Sequence, residues 1–227
     1  MLWKRYIDHF LHLFFPRLCA ACEATLLSHE EMLCTSCLFH LPFTDFHLFD
    51  DNDTARQLWG KVSFERAFSM FELSKSSRVE TLLHKLKYKN QPEIGIYLGR
   101  LYASSIAGYV GEVDLIAPIP LHRSKLRKRG YNQAAKFGEG LSQGLGIPLK
   151  EDLLIRVLAS ESQTKRSRID RYDNVKNAFV LNPYVTIQDL HILLVDDVLT
   201  TGATMSEAAL TLVEAGAKVS IATIARA

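Results

Sequence analysis

No cysteine lies beyond position 37 of the 227-residue chain, no segment repeats, and no stretch is of low complexity. No apolar run is long enough to cross a bilayer. The opening stretch MLWKRYIDHFLHLFFPRL is broken by Asp8, His9 and His12, and no small-residue cleavage site follows it. A secretory leader is therefore not expected, and a cytoplasmic location is. Charge of neither sign dominates: 27 Lys and Arg stand against 25 Asp and Glu, leaving +2. Such a balance neither demands nor excludes a polyanionic partner, so local clustering must decide. The remaining composition is globular, with 48% hydrophobic, 23% charged and 10% aromatic residues. It excludes a disordered chain, a fibrous repeat and a polytopic membrane protein. The length suits one domain with an appendage, or two small ones.

All four cysteines, Cys19, Cys22, Cys34 and Cys37, form two Cys-x2-Cys pairs with eleven residues between them. Two residues between ligands make a tight knuckle that aims both sulfurs at one ion, and four thiolates complete a tetrahedral shell suited to Zn2+. A closed shell leaves no open position, so the expected role of the metal is structural: it holds a module too small for its own core. Redox-active dithiols are the other reading.

Before the cysteines, Leu2, Trp3, Tyr6, Ile7, Phe10, Leu11 and Phe14 approximate one helical face that Pro16 ends. That helix either packs on the body of the protein or meets a membrane surface or partner. Residues 43–60 are mixed and acidic and read as a connector, and Phe64–Leu73 reads as a strand. Ser77 and Glu80 have capping-box spacing before a helix with Val79, Leu82, Leu83 and Leu86 on its buried face. A second helix carries Ile94, Leu98 and Leu101. From residue 112 short apolar runs alternate with helices: strands at 113–119, 155–158, 179–181, 191–198 and 219–225, and helices after Asn132 and from Ala203, the last stopped by Gly216. This alternation predicts an open, mostly parallel α/β sheet.

The most informative stretch is ILLVDDVLTTGAT, residues 192–204. An apolar strand runs into two adjacent carboxylates, a bend of small residues and then a helix. Ligands of open α/β sheets bind beyond the carboxyl ends of strands. Thr200, Thr201, Gly202, Ala203 and Thr204 are placed to offer backbone N–H groups and hydroxyls to a phosphate, with the positive end of the helix behind them. Gly202 permits close backbone approach. Asp196 and Asp197 suit the vicinal hydroxyls of a sugar, with indirect help to Mg2+. Two basic stretches complete the picture. Residues 122–130 hold Arg123, Lys125, Arg127, Lys128 and Arg129 without an acid. They are readable as donors to pyrophosphate, as a track for single-stranded DNA with Tyr131 as a stacking face, or as a solvated turn. Lys85, Lys87 and Lys89 form either a solvated edge or a ligand site. Residues 160–178, with Gln163, Thr164, Arg171 and Asn174, read as a hood over the site or as a long surface loop.

VDDVLTTGAT resembles the 5-phosphoribosyl-1-pyrophosphate (PRPP) motif of type I phosphoribosyltransferases. A four-cysteine module followed by LLHKLKYKN, APIPLHRSKLRKRGYNQA, QTKRSRIDRYDNVKNAF and that motif is similar in order to the ComF family of competence-associated phosphoribosyltransferase-like proteins, over essentially residues 17–227. The resemblance implies a phosphoribosyltransferase-type fold, PRPP or a related phosphosugar as ligand with Mg2+, and in some members a role in DNA uptake during transformation. It implies that Asp196 and Asp197 hold the ribose hydroxyls and that Thr200–Thr204 hold the 5-phosphate. Arg123, Lys125, Lys87 and hood residues such as Arg171 would face pyrophosphate, and Gln163 maps onto the family's hood pattern. If the chain is an enzyme, pyrophosphate is displaced at the anomeric carbon. The alternative is a protein that handles single-stranded nucleic acid or docks on the uptake machinery and keeps the site as a sensor. A glutamine-dependent amidophosphoribosyltransferase is not expected, because position 2 is Leu2 and the segment before the PRPP region is too short for a glutaminase domain. The expected organisation is a helix at 1–16, a zinc module at 17–42, a connector and strand at 43–76, and the phosphoribosyltransferase-like domain at 77–227.

Overall fold

In the computed structural model, residues 16–157 and 178–227 are described, and their longest apolar runs pair as parallel strands of one sheet. In chain order the elements are α1 (Thr35–His40), α2 (Asp53–Leu58), β1 (Ala67–Glu72), α3 (Arg78–Tyr88), α4 (Glu93–Ile106), β2 (Leu115–Pro118) and α5 (Arg123–Arg129). They continue with α6 (Gln133–Leu145), β3 (Leu154–Arg156), β4 (Phe179–Leu181), β5 (His191–Leu199), α7 (Ala203–Glu214) and β6 (Lys218–Arg226). The main sheet has the order β1-β6-β5-β2, with every pair parallel. β3 and β4 form a separate antiparallel ribbon. Both outer edges of the main sheet are partly covered: Phe43 bridges Phe71 beside β1, and Ile116 of β2 bonds to the backbone of Pro148 and Lys150. These contacts occupy part of the free ladder on each outer strand.

The strands are apolar on both faces because helices lie on both. On β5, Leu193 and Val195 join the core with α3, α4 and α6, whereas Ile192 and Leu194 join the core with α7, α2 and the β3–β4 ribbon. β6 divides in the same way, Ile224 and Ala222 to one side and Val219 and Ile221 to the other. The cysteine segment has no core of its own. Cys19, Leu26, Leu33, Cys37 and Leu41 are buried in the same cluster as Phe68, Leu86 and Leu98.

Local signals set the helix ends. The Ser77 hydroxyl accepts from Glu80 N at 3.1 Å. The Asn132 side chain accepts from Ala134 N at 3.1 Å and donates to Ile119 O at 2.9 Å, tying the start of α6 to the end of β2. Two readings change. The segment read as a connector contains α2, capped by Asn52 and burying Ala55 and Leu58. The basic stretch read as a turn is helix α5, capped by His122 and stopped by Gly130. The strand read at 155–158 pairs over Leu154–Arg156. The helix read at 2–15 and the hood read at 160–178, except for Ala178, lie outside the described residues, and with them Gln163, Thr164, Arg171 and Asn174. Among the described residues no helix is long and apolar enough to cross a membrane.

α4 and α6 meet through glycine. A methyl on Gly140 would overlap the Ile96 carbonyl, and one on Gly99 would overlap the Phe137 carbonyl. Backbone lies on the opposing side, so no side chain can swing away. Gly140→Ala is expected to lower the urea midpoint by the equivalent of about 2 kcal/mol, because overpacking outweighs the better helix propensity of alanine. An unchanged midpoint would show that the two helices tolerate separation.

Candidate functional site

β5 and α7 supply one half of the site. β5 is buried from Ile192 to Val195 and opens at Asp196, Asp197 and Val198, which are half-buried. Thr200, Thr201, Ala203 and Thr204 are exposed, and Gly202 lies beneath them at φ +78°, in the left-handed region that favours glycine. No side chain caps α7 at Gly202; Ala203 N meets the Thr201 hydroxyl at 3.4 Å and Ser206 N the Gly202 carbonyl at 2.8 Å, and among the described residues no bond outside the helix uses Thr204 N or Met205 N. The first N–H groups of α7 thus face an open bend with the positive end of the helix dipole behind them. A hollow of about 50 Å3 joins Asp196 to Thr200, Gly202, Ala203 and Thr204.

The two carboxylates have different surroundings. Asp197 pairs with Lys87 Nζ of α3 at 3.1 Å. Asp196 accepts from Asp197 N at 2.8 Å. Burial and the neighbouring charge of Asp197 push the Asp196 carboxyl up to about 7, against the pull of the Asp197 N–H, Lys87 and Arg156. Arg156 of β3 lies with its guanidinium 5.3 Å from the centre of the Phe179 ring. Nothing in the sequence distinguished it from any basic residue on a short strand.

α3 and α5 supply the other half, a cleft of about 340 Å3 lined by Lys87, Tyr88, Arg127, Lys128 and Arg129. Arg129 lies 5.3 Å from the centre of the Tyr88 ring, which is 57% exposed. Tyr131, read as a stacking face, is placed otherwise: it packs against the core and its hydroxyl donates to Leu86 O. The exposed aromatic face in the basic cleft is Tyr88. Arg123 and Lys125 stand exposed at the start of α5 and do not line the cleft. Lys85 turns the other way and pairs with Glu23 at 2.9 Å.

The four cysteine sulfurs lie within 4.8 Å of one another. Those of Cys22 and Cys34 are 3.7 Å apart, against about 3.8 Å for the edge of a tetrahedron with Zn–S bonds of about 2.3 Å. Cys34 N points at Cys19 Sγ (3.3 Å) and Cys37 N at Cys34 Sγ (3.4 Å), as thiolate ligands require. Burial opposes ionisation of Cys19, but the N–H groups of Cys34, Cys22 and Ala21 outweigh it and bring the thiol down to about 7. Burial and the neighbouring thiols push Cys37 well up, since four crowded thiols cannot all ionise without a cation. The donor set fits a tetrahedral metal such as zinc. Glu30 locks the loop between the knuckles: it accepts from Leu27 N, Thr35 N and the Thr35 hydroxyl at 2.8, 2.6 and 2.8 Å, which holds its carboxyl down to about 2.

No family model matches the chain. Among curated proteins, DNA utilization protein YhgH of Escherichia coli K12 is 30% identical over 206 residues, 88% of this chain and 86% of the relative. YhgH of Salmonella typhi is 34% identical over 141 residues, 60% of this chain, and the match spans 61% of that relative's length. Competence protein F of Haemophilus influenzae is 36% identical over 137 residues, 56% of this chain and 58% of the relative. The chain belongs to the ComF family. Among solved structures, a glutamine PRPP amidotransferase from Bacillus subtilis covers 62% of the ComF-family chain and 30% of its own, at 19% identity and a TM-score of 0.45.

In this ComF-family chain the crowding of Asp196 has a measurable cost. The folded pKa lies above the ordinary carboxylate value, so between about pH 4 and 7 the folded state keeps a proton that the unfolded state has released. Stability therefore falls as pH rises through that window and stays reduced above it. Asp196→Asn keeps the acceptor for Asp197 N and removes the charge. It is expected to melt several degrees above wild type at pH 8, with the difference vanishing near pH 4. A variant that melts below wild type at pH 8 would contradict the crowding.

Proposed function

We propose that this chain is a phosphoribosyltransferase-like protein that binds PRPP or a related 5-phosphosugar with Mg2+, in the cytoplasm, in the handling of DNA taken up during transformation. The carrying observation is the continuous run of paired, half-buried Asp196 and Asp197 at the end of β5 into the exposed bend 200–204 at the start of α7. The names of the relatives, DNA utilization and competence, support the link to DNA. The four-cysteine cluster supports a structural Zn2+ in a reducing compartment.

The chemistry follows from charge. Asp196 and Asp197 accept the ribose hydroxyls, which gives their crowded negative charge donors to share. The backbone N–H groups and hydroxyls of Thr200–Thr204 take the 5-phosphate. Lys87, now paired with Asp197, is placed to turn toward pyrophosphate once hydroxyls take over the carboxylate. Arg127, Lys128 and Arg129 add charge on the same side, with Arg123 and Lys125 at the outer end of α5. A bound Mg2+ would supply charge neutralisation for the pyrophosphate that leaves the anomeric carbon. The crowded carboxylates fit such a cation, since a positive charge lowers the cost of ionising Asp196. The Asp196→Ala, Asp197→Ala double variant is expected to lose PRPP binding by calorimetry, at least a hundredfold, with its circular dichroism unchanged. Each charged partner removed from a buried hydrogen bond weakens binding by roughly tenfold or more. Unchanged affinity would remove the carboxylates from the site.

A second reading is favoured by the Tyr88 cleft: single-stranded DNA would stack a base on the exposed ring while Arg127, Lys128 and Arg129 track phosphates. Arg127→Ala with Arg129→Ala is expected to weaken binding of an oligothymidylate and to reduce the slope of log K against log salt by about 1.4, two phosphate contacts at about 0.7 each. Binding that ignores ionic strength would count against this reading.

A further inference from the structure

Lys61 lies just past the segment read from sequence as a connector (43–60), yet it joins two parts of the chain 140 residues apart. Its ammonium donates to Gln57 O at 2.7 Å and to Thr201 O at 2.8 Å. The first bond is what any lysine near the end of a helix makes, meeting a last-turn carbonyl. The second has no such local reason. It crosses to the bend that follows β5 and holds one peptide of it by the carbonyl.

The neighbourhood is built around this contact. A Cβ placed on Gly202 would meet Leu58 Cδ2 at 3.0 Å, Gln57 O at 3.5 Å and Lys61 Nζ at 3.6 Å. The underside of the bend is therefore sealed by α2 and Lys61, and its upper side is exposed. The peptide between Thr201 and Gly202 is planar and trans, so its C=O and N–H point in opposite directions. With the Thr201 carbonyl held down toward Lys61, the Gly202 N–H faces up, out of the bend. Among the described residues no hydrogen bond uses that N–H. Lys61 is itself exposed, and two carbonyls take two of its three donors.

We infer that Lys61 is a positioning residue for an anion in the 200–204 bend, fixing the Thr201–Gly202 peptide so that its N–H faces a phosphate monoester. The inference rests on the phosphosugar reading of the bend and names a residue outside the PRPP motif for it. Lysine does this through Thr201, not by reacting. Released from the ammonium, the peptide is free to rotate, and with its carbonyl turned upward it presents an acceptor where the phosphate needs a donor.

Calorimetry with two probes, ribose 5-phosphate and inorganic pyrophosphate, tests the inference on the full chain, in wild type, Lys61→Met and Lys61→Arg. Lys61→Met is expected to weaken ribose 5-phosphate about tenfold, the worth of one charge-assisted hydrogen bond, with pyrophosphate affinity unchanged. Lys61→Arg, which keeps the charge and the donors, is expected to retain most of the ribose 5-phosphate affinity. Equal ribose 5-phosphate affinity in wild type and Lys61→Met would overturn the role of Lys61 and leave the bend as the phosphate site. A parallel loss of both probes, or a loss in Lys61→Arg as large as in Lys61→Met, would show mere local unfolding and overturn it too. A wild-type protein that binds pyrophosphate but not ribose 5-phosphate would overturn the reading of the bend itself, and the inference with it.

Discussion

Two carboxylates at consecutive positions, where a buried strand leaves the core, repel each other and have lost much of their water. That cost organises what surrounds them. Asp196 is driven toward holding a proton, while Asp197 pairs with Lys87 at 3.1 Å. A sequence selected for stability alone would not keep both acids. Their presence together at the carboxyl end of a parallel strand is a cost tolerated where a ligand can relieve it. Strand alternation decides how. Leu193 and Val195 face α3 and α6, and Ile192 and Leu194 face α7. Continued by one more step, the same pleat gives Asp197 to Lys87 of α3 and leaves Asp196 lining the hollow that runs to the start of α7.

The helix that carries Lys87 also meets the cysteine segment. Lys85, two residues earlier on α3, pairs with Glu23, which follows the first knuckle directly. The buried face of α3, Val79, Leu82, Leu83 and Leu86, shares one core with Cys19, Leu33 and Cys37. Surface ion pairs hold little by themselves, so the shared apolar core is what fixes α3 against the knuckles. The four-cysteine segment is thus part of the support of the helix that holds Asp197, and a metal that closes the knuckles also steadies that support.

The long elements were legible because their signals do not depend on distant partners. β5 is an uninterrupted apolar run, Ser77 and Asn132 are caps within a few residues of what they cap, and the cysteine spacing is local. The features that escaped are those whose meaning comes from contact. α2 has six residues and buries only Thr54, Ala55 and Leu58, so no apolar period announces it among its acids. α5 buries nothing, and a helix without a buried face has no pattern to read. Tyr88 and Tyr131 are both tyrosines beside lysines or arginines. Only the fold turns one hydroxyl into the core, onto Leu86 O, and leaves the other ring bare. Lys61 was one basic residue in a mixed stretch until the chain brought Thr201 back to it.

The arrangement also explains why the overall charge was silent. A net charge of +2 hides an ordered sequence of poles across one edge of the sheet. At one end lies a bend of N–H groups and hydroxyls above Lys61, in the middle a pair of carboxylates, and at the other end a cleft of Lys87, Arg127, Lys128 and Arg129. A ligand that matches this order carries an anion at each end and hydrogen-bond donors between them. Inorganic phosphate or pyrophosphate alone would meet only one pole, and an uncharged sugar only the middle. Single-stranded DNA could follow the cationic cleft, but it brings no reason for two acids beside it, since carboxylates disfavour a phosphate backbone. On electrostatic grounds the acids favour the proposed phosphosugar: the basic cleft is compatible with either ligand, whereas the carboxylate pair offers the phosphates of single-stranded DNA no partner.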